Sequence, residues 1–221
     1  MHVVVNAAMS ADGKLSSRRR EQVEISGPDD FRRVDELRAD VDAVVVGVGT
    51  VVADDPSLTV DDAELRERRR ENDQPENPAR VVADSRIRTP PDARILDGEA
   101  ASYLLTSEAA PNDFVAQMEE AGATVIVAGE NKVDLSAAFE ELAADGIDRL
   151  MVEGGGELIF SLFEEGLVDE LSVFVGPKVI GGRDAPTLAD GDGFVEDFGQ
   201  LELTEVERID DGALLRWDVR S

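Results

Sequence analysis

Four stretches of this chain place chemically useful residues where an apolar run stops. The first is Leu150-Met151-Val152-Glu153-Gly154-Gly155-Gly156-Glu157-Leu158. It reads as a buried strand, a glycine turn and a helix start. Glycines let a ligand approach the backbone, and a helix start offers unpaired N–H groups and positive partial charge to an anion. Taken alone, the same glycines also fit a tight connection that binds nothing. The second stretch is Gly47-Val48-Gly49-Thr50, leading through Asp54-Asp55-Pro56 to Leu58-Thr59. Its strand also ends in glycines, and Thr50 is placed to cap the following turn. The third, Asp84-Ser85-Arg86-Ile87-Arg88, sets arginines past a strand end, where they either take a phosphate or offset neighbouring acids. The fourth, Ser10-Ala11-Asp12-Gly13-Lys14, spends one of only three lysines directly after a strand; Lys178 has a similar claim.

Ligands in open α/β sheets bind beyond the carboxyl ends of strands, and two glycine-rich ends can share one extended ligand such as a dinucleotide. The usual Gly-x-Gly-x-x-Gly fingerprint is absent, so a dinucleotide site here requires a different fold.

Composition narrows the chemistry. The chain has no cysteine, and its one histidine is His2. Disulfides, thiolate or histidine metal cages and a Ser-His-Asp triad are therefore excluded, and no metal site is expected. No apolar run approaches the ~20 residues of a membrane span, and no signal peptide is evident, so a cytoplasmic protein is expected. Acids outnumber bases 49 to 22, giving a net charge of −27. Such a surface repels a nucleic-acid backbone. Regular apolar strands argue against disorder. Arginine outnumbers lysine heavily, and the charge reads as the solvated surface of a halophile's protein.

The elements that must position these residues alternate. Strands are predicted at His2–Ala8, Ala43–Gly49, Arg80–Ala83, Tyr103–Thr106, Thr124–Ala128, Leu150–Val152 and Asp169–Val175. Helical patterns follow Ser26-Gly27-Pro28 (with Phe31, Val34, Leu37 and Arg38 at helical spacing) and cover Asp113–Glu120, Leu135–Ala144 and Leu158–Glu165. Leu201–Ile209 and Ala213–Val219 bracket Asp210-Asp211-Gly212, a hairpin signal. Residues 61–78 read as a charged excursion. The sum is an α/β fold: a mixed, mostly parallel sheet flanked by helices, with a C-terminal antiparallel hairpin, in a single domain over 1–221.

In this order the segments resemble a known family, the riboflavin-pathway reductases. These include the stand-alone archaeal and fungal 2,5-diamino-6-(ribosylamino)-4(3H)-pyrimidinone 5′-phosphate reductases and the reductase half of the bacterial bifunctional deaminase-reductases. The resemblance rests on Met9-Ser10-x-Asp12-Gly13-Lys14, Leu37-Arg38-Ala39, Gly49-Thr50-Val51-x-x-Asp54-Asp55-Pro56-x-Leu58-Thr59, Asp84-Ser85, Glu153-Gly154-Gly155, Gly166-Leu167-Val168-Asp169-Glu170-Leu171 and Pro177-Lys178-x-x-Gly181-Gly182. It implies a dihydrofolate-reductase-like fold, NADPH as cofactor with NADH tolerated, and a homodimer. It also implies reduction of the ribosylamino group of that pyrimidine phosphate to ribitylamino. Thr50, Asp54, Ser85, Gly154, Gly155, Gly156, Glu157 and Leu158 would contact the cofactor. Asn6, Lys14, Arg38, Leu58 and Glu153 would face the substrate, with Lys14 and Glu153 as catalytic candidates. Two departures from the bacterial pattern stand out: Asp61-Asp62 stand where the bacterial proteins often have an arginine, and the zinc-deaminase half is expected to be absent, which favours the stand-alone type. Beside the archaeal resemblance, the charge suggests a haloarchaeal source. Two alternatives stay open, a reductase of the same fold acting on a pteridine-like ring and a nucleotide-binding regulator without catalysis.

The charge makes its own prediction. Salt shortens the Debye length from ~10 Å at 0.1 M to ~3 Å at 1 M, which weakens the self-repulsion of the surface. Melting temperature should rise steeply with KCl over that range; a value flat from low salt to about 2 M would refute the halophile reading.

Overall fold

The computed structural model describes residues 1–220. The strands are β1 (His2–Ser10), β2 (Ala43–Gly47), β3 (Ala79–Ala83), β4 (Ser102–Thr106), β5 (Thr124–Val127), β6 (Arg149–Gly154), β7 (Glu170–Gly176), β8 (Gln200–Ile209) and β9 (Gly212–Arg220). The helices are α1 (Pro28–Asp40), α2 (Val48–Asp54), α3 (Ala63–Glu71), α4 (Asn112–Glu120), α5 (Leu135–Ala144) and α6 (Gly156–Glu164), with a 3₁₀ turn at Arg94–Leu96. The residues group into two compact units, one from Asp35 to Met151 and one from His2 to Val34 together with the chain from Val152 onward.

In the first unit β2, β3, β4 and β5 pair in parallel, in that order. Parallel strands covered on both faces read as unbroken apolar runs, and Val44, Val45, Val46, Val81 and Val82 are fully buried. Val44, Val46, Val48, Val51, Leu58, Val82, Ile95 and Met151 form one core cluster beneath the β2–α2 connection. In the second unit β1 pairs parallel with β7, while β9 joins β7 and β8 antiparallel. The fold is thus mixed and mostly parallel, closed by an antiparallel C-terminal pair. Among the described residues no helix is long and apolar enough to cross a membrane.

Several boundaries differ from the sequence reading. Val48 and Gly49 do not extend β2; they open α2, whose N-cap is Gly47. Thr50 therefore lies inside that helix instead of capping it. The stretch 61–78 contains a helix, α3, that its charge pattern hides. Buried Arg69 holds α3 in place by donating to the carbonyls of Pro75 (2.7 Å), Ala39 (2.9 Å) and Val41 (2.8 Å). On α1, Phe31 points to solvent. The hairpin turn between β8 and β9 has a tertiary role: the Asp210 carboxylate accepts from the backbone N–H groups of Asp29 (3.4 Å) and Asp30 (3.1 Å). It caps the first turn of α1 from 180 residues away in the chain, a contact worth about 1 kcal/mol.

Candidate active site

The β6–α6 joint has the geometry its glycines suggested. Gly155 adopts φ 98°, outside what an L side chain holds comfortably, and serves as N-cap with no side-chain hydrogen bond to the helix start. The first N–H groups of this nine-residue helix are thus left without a side-chain cap, as an anion-binding helix start requires. Gly156 has a different reason. A Cβ there would sit 2.7 Å from both Asp190 Oδ2 and Thr187 O, and the Asp190 N–H donates to Gly156 O at 3.0 Å. Its missing side chain makes room for the loop of residues 185–194, which continues along α6 with Phe194 tilted against Phe160 at 5.1 Å. Leu158 is buried, so only its backbone can meet a ligand; Glu157 is exposed, and Glu153 is half-buried near the end of β6.

At the end of β1 the Ser10–Lys14 turn is fastened by its own side chains. Ser10 Oγ donates to Asp12 Oδ1 at 2.6 Å and accepts from the Lys14 N–H at 2.9 Å. The Asp12 carboxylate also accepts from the N–H groups of Ile180 (2.9 Å) and Gly181 (2.7 Å). These contacts, the Ser10 hydroxyl first and the two N–H groups next, hold its pKa down at about 2. Lys14 Nζ donates to Ala185 O at 3.3 Å, and its backbone bridges to Thr187. The ammonium keeps further donors for a ligand. Lys178 instead turns its ammonium to the Glu24 carbonyl.

In the other unit, Leu58 is buried with φ 55°, a conformation bulky residues avoid. Its side chain belongs to the core cluster, and the residue as a whole is only 2% exposed. Arg38 Nη1 donates to Thr59 O at 3.0 Å, one residue on. Asp54 ends α2 with its side chain open to solvent, while surrounding protein mass pushes its carboxyl above the usual range. Past β3, Asp84 Oδ2 accepts from Arg88 N (2.6 Å), Thr89 N (2.8 Å) and Thr89 Oγ1 (2.8 Å), which shapes the turn that carries Ser85. Ser85 Oγ accepts from Val133 N at 3.1 Å and keeps its own hydrogen to donate. Asp84 Oδ1 and Thr106 Oγ1, at neighbouring strand ends, are buried without a hydrogen-bond partner, and the Arg88 guanidinium lies 3.9 Å from Asp84 Oδ1. Arg86 and Arg88 are exposed.

Each unit offers groups that suit a nicotinamide dinucleotide: in one, a helix start open to phosphate; in the other, a serine donor and exposed arginines past β3. Each unit holds part of the candidate set. Lys14, Asn6, Glu153 and the glycine joint lie in one; Arg38, Thr50, Asp54, Leu58 and Ser85 lie in the other. The sequence reading missed Asp190 and the fastening role of Asp12, because both act on backbone far along the chain.

Asp12 gives a pH test. Its folded pKa lies below the ordinary 3.8, so the latch is fully made above 3.8 and is lost as pH falls through about 2. The amide resonances of Ile180 and Gly181 should titrate with a midpoint near 2 and stop titrating there in Asp12→Asn. A midpoint near 3.8 would show that the carboxylate does not bind those amides.

Comparison with known proteins places these features in a family. The family model described as the RibD C-terminal domain matches residues 1–215. The chain is 49% identical over 211 residues to the 2,5-diamino-6-ribosylamino-4(3H)-pyrimidinone 5′-phosphate reductase of Archaeoglobus fulgidus, covering 96% of this chain and 94% of that one. It is 44% identical to the protein of the same name from Methanothermobacter thermautotrophicus, over 99% and 98% of the two chains. Among solved structures, a pyrimidine reductase-like protein from Corynebacterium diphtheriae superposes with a TM-score of 0.85 at 20% identity, covering 100% of this chain and 92% of that one. Dihydrofolate reductase from Enterococcus faecalis superposes with a TM-score of 0.52 at 13% identity, over 100% and 97% of the chains, a likeness of fold alone. The chain belongs to the RibD C-terminal domain family, reductases with a dihydrofolate-reductase-like fold.

Proposed function

We propose that the chain, acting as one reductase domain over residues 1–221, reduces the ribosylamino group of 2,5-diamino-6-(ribosylamino)-4(3H)-pyrimidinone 5′-phosphate to ribitylamino, in riboflavin biosynthesis. The observation that carries this reading is near-end-to-end similarity to two archaeal reductases of that name, 49% and 44% identical. The cofactor is a nicotinamide dinucleotide, and we assign NADPH. Gly155 and the start of α6 would hold its pyrophosphate, Ser85 would donate to it, and Arg86 or Arg88 would take the 2′-phosphate that NADH lacks. Glu157 and Leu158 would contribute backbone, and Thr50 and Asp54 would contact the cofactor. When bound, the nicotinamide supplies the hydride that the reaction needs.

The chain's own residues bind, orient and manage a proton. Opening the ribose breaks C1′–O4′, places a proton on O4′ and leaves C1′ doubly bonded to nitrogen as an iminium. Hydride delivery to C1′ then completes the ribitylamine. Lys14 and Glu153 are the candidates for that proton and for holding the sugar, and Arg38 suits the 5′-phosphate. A protein that contains no catalytic histidine can do this, because orientation and electrostatics carry the step. We further assign a cytoplasmic homodimer of oxidoreductase class 1.1.1 with a salt-adapted surface. Leu201, Leu203 and Val206, exposed along the outer strand β8, support self-association.

An NADPH-oxidation assay with the freshly made ribosylamine tests the reading. Turnover should be seen, with NADPH favoured over NADH by roughly 10–100-fold, the worth of a charge-assisted phosphate contact. Lys14→Met and Glu153→Gln should each lower kcat by about 10²-fold with NADPH affinity little changed. NADPH binding without turnover would support the regulator instead, and wild-type turnover in both variants would remove the two catalytic assignments.

A further inference from the structure

Asn6 interrupts the apolar run of β1 and is only 5% exposed. Its Oδ1 accepts from Arg33 Nη2 at 2.9 Å. Arg33 reaches in from α1 and is itself 8% exposed. Its Nη1 donates at 3.3 Å to Ser172 Oγ, and Ser172 is the residue beside Asn6 on β7. Its Nε donates at 2.8 Å to Asp30 Oδ1, and Asp30 is fully buried. The other Asp30 oxygen accepts from the Ser26 hydroxyl. Five polar side chains from three elements and a loop thus converge on the middle of β1.

Stability does not explain such a network. A buried ion pair roughly cancels its own desolvation cost, and apolar residues of similar volume often do as well or better. The network does impose a direction on Asn6. A guanidinium carries only donors, so the carboxamide must turn its oxygen toward Arg33. The amide nitrogen is then the group Asn6 has to offer. Without Arg33 the carboxamide could rotate and present either end.

We propose that Arg33 is a positioning residue that locks Asn6 as a pure hydrogen-bond donor toward an acceptor atom of the substrate, a carbonyl oxygen, ring nitrogen or sugar oxygen. The proposal rests on the assignment of Asn6 to the substrate side of the reductase. Its consequence is selectivity: a ligand presenting an amino group at that position meets a donor and is disfavoured.

Asn6→Asp is the discriminating variant. The carboxylate keeps the shape and pairs with Arg33 more strongly, but it has no donor left for the substrate. The variant should still fold, with some loss of melting temperature because Arg33 already pairs with buried Asp30, and NADPH affinity should stay within about twofold. KM for the ribosylamino-pyrimidine should rise about tenfold or more, the cost of losing one buried hydrogen bond. The second arm replaces the pair by Asp30→Leu with Arg33→Met, a swap that buried ion pairs commonly tolerate. It should raise KM by a similar factor, and adding Asn6→Ala should raise it little further, because the two act as one unit. A folded Asn6→Asp with wild-type KM would overturn the proposal, as would additive effects in the second arm. If the wild-type enzyme itself fails to turn over the ribosylamine, the functional reading fails first. Wild-type turnover with KM unmoved in Asn6→Asp sinks the positioning role alone.

Discussion

Strand β6 runs buried to Gly154 and enters α6 through Gly155 at φ 98°. Neither a β-branched nor a capping residue can stand at that joint without strain. The absent side chain leaves the helix start uncapped from within and lets its N–H groups and partial charge face a ligand. In a chain of net charge −27, such fixed backbone dipoles matter more than usual, because side-chain cations are scarce. Neighbouring structure is built around the same constraint. The absence of a side chain at Gly156 admits Asp190 and Thr187, and Gly191 passes so near the Phe160 ring that a Cβ would lie 2.5 Å from it. The loop of residues 185–194 is thereby seated on α6, and Lys14 is tied to that loop through Ala185 and Thr187.

A second theme is the use of carboxylates as backbone clamps. Asp12 holds Ile180 and Gly181, Asp35 holds the N–H groups of Asp61 and Asp62, Asp42 holds those of Asp148 and Arg149, and Asp84 holds those of Arg88 and Thr89. Asp210 does the same for the start of α1. An acid-rich composition is often read as solvation alone. Here part of it satisfies loop N–H groups that would otherwise lack partners, and it fixes the loops that carry the candidate site.

What the sequence revealed and what it hid follow from the range of the interactions involved. Helix α5 has the bounds the sequence predicts, Leu135–Ala144, because its helical pattern is a local signal. The glycine joint was legible because positive φ is a property of the residue type. Val48 and Gly49 mislead, since they continue the apolar run of Val44–Gly47 although the helix has already begun at Val48. Helix α3 is hidden in the sequence because Arg69 anchors it through the Pro75 carbonyl just beyond it and through two carbonyls of a distant segment, Ala39 and Val41. Nothing local marks Asp30 and Arg33 as buried in a chain that is 32% charged; only tertiary structure shows both buried, with Arg33 bonded to Asn6. Leu58 carries the family motif, yet it is buried in the core cluster, which its sequence context does not show.

The central claim is that the backbone of the β6–α6 joint binds the dinucleotide phosphates. Titrating NADPH into isotope-labelled protein and following the amide resonances of Gly155, Gly156 and Glu157 tests it most directly. The account predicts that these amides shift with the same saturation as the bulk binding signal, and that inorganic pyrophosphate shifts them in the same direction. Saturable NADPH binding that leaves all three amides unmoved would contradict it.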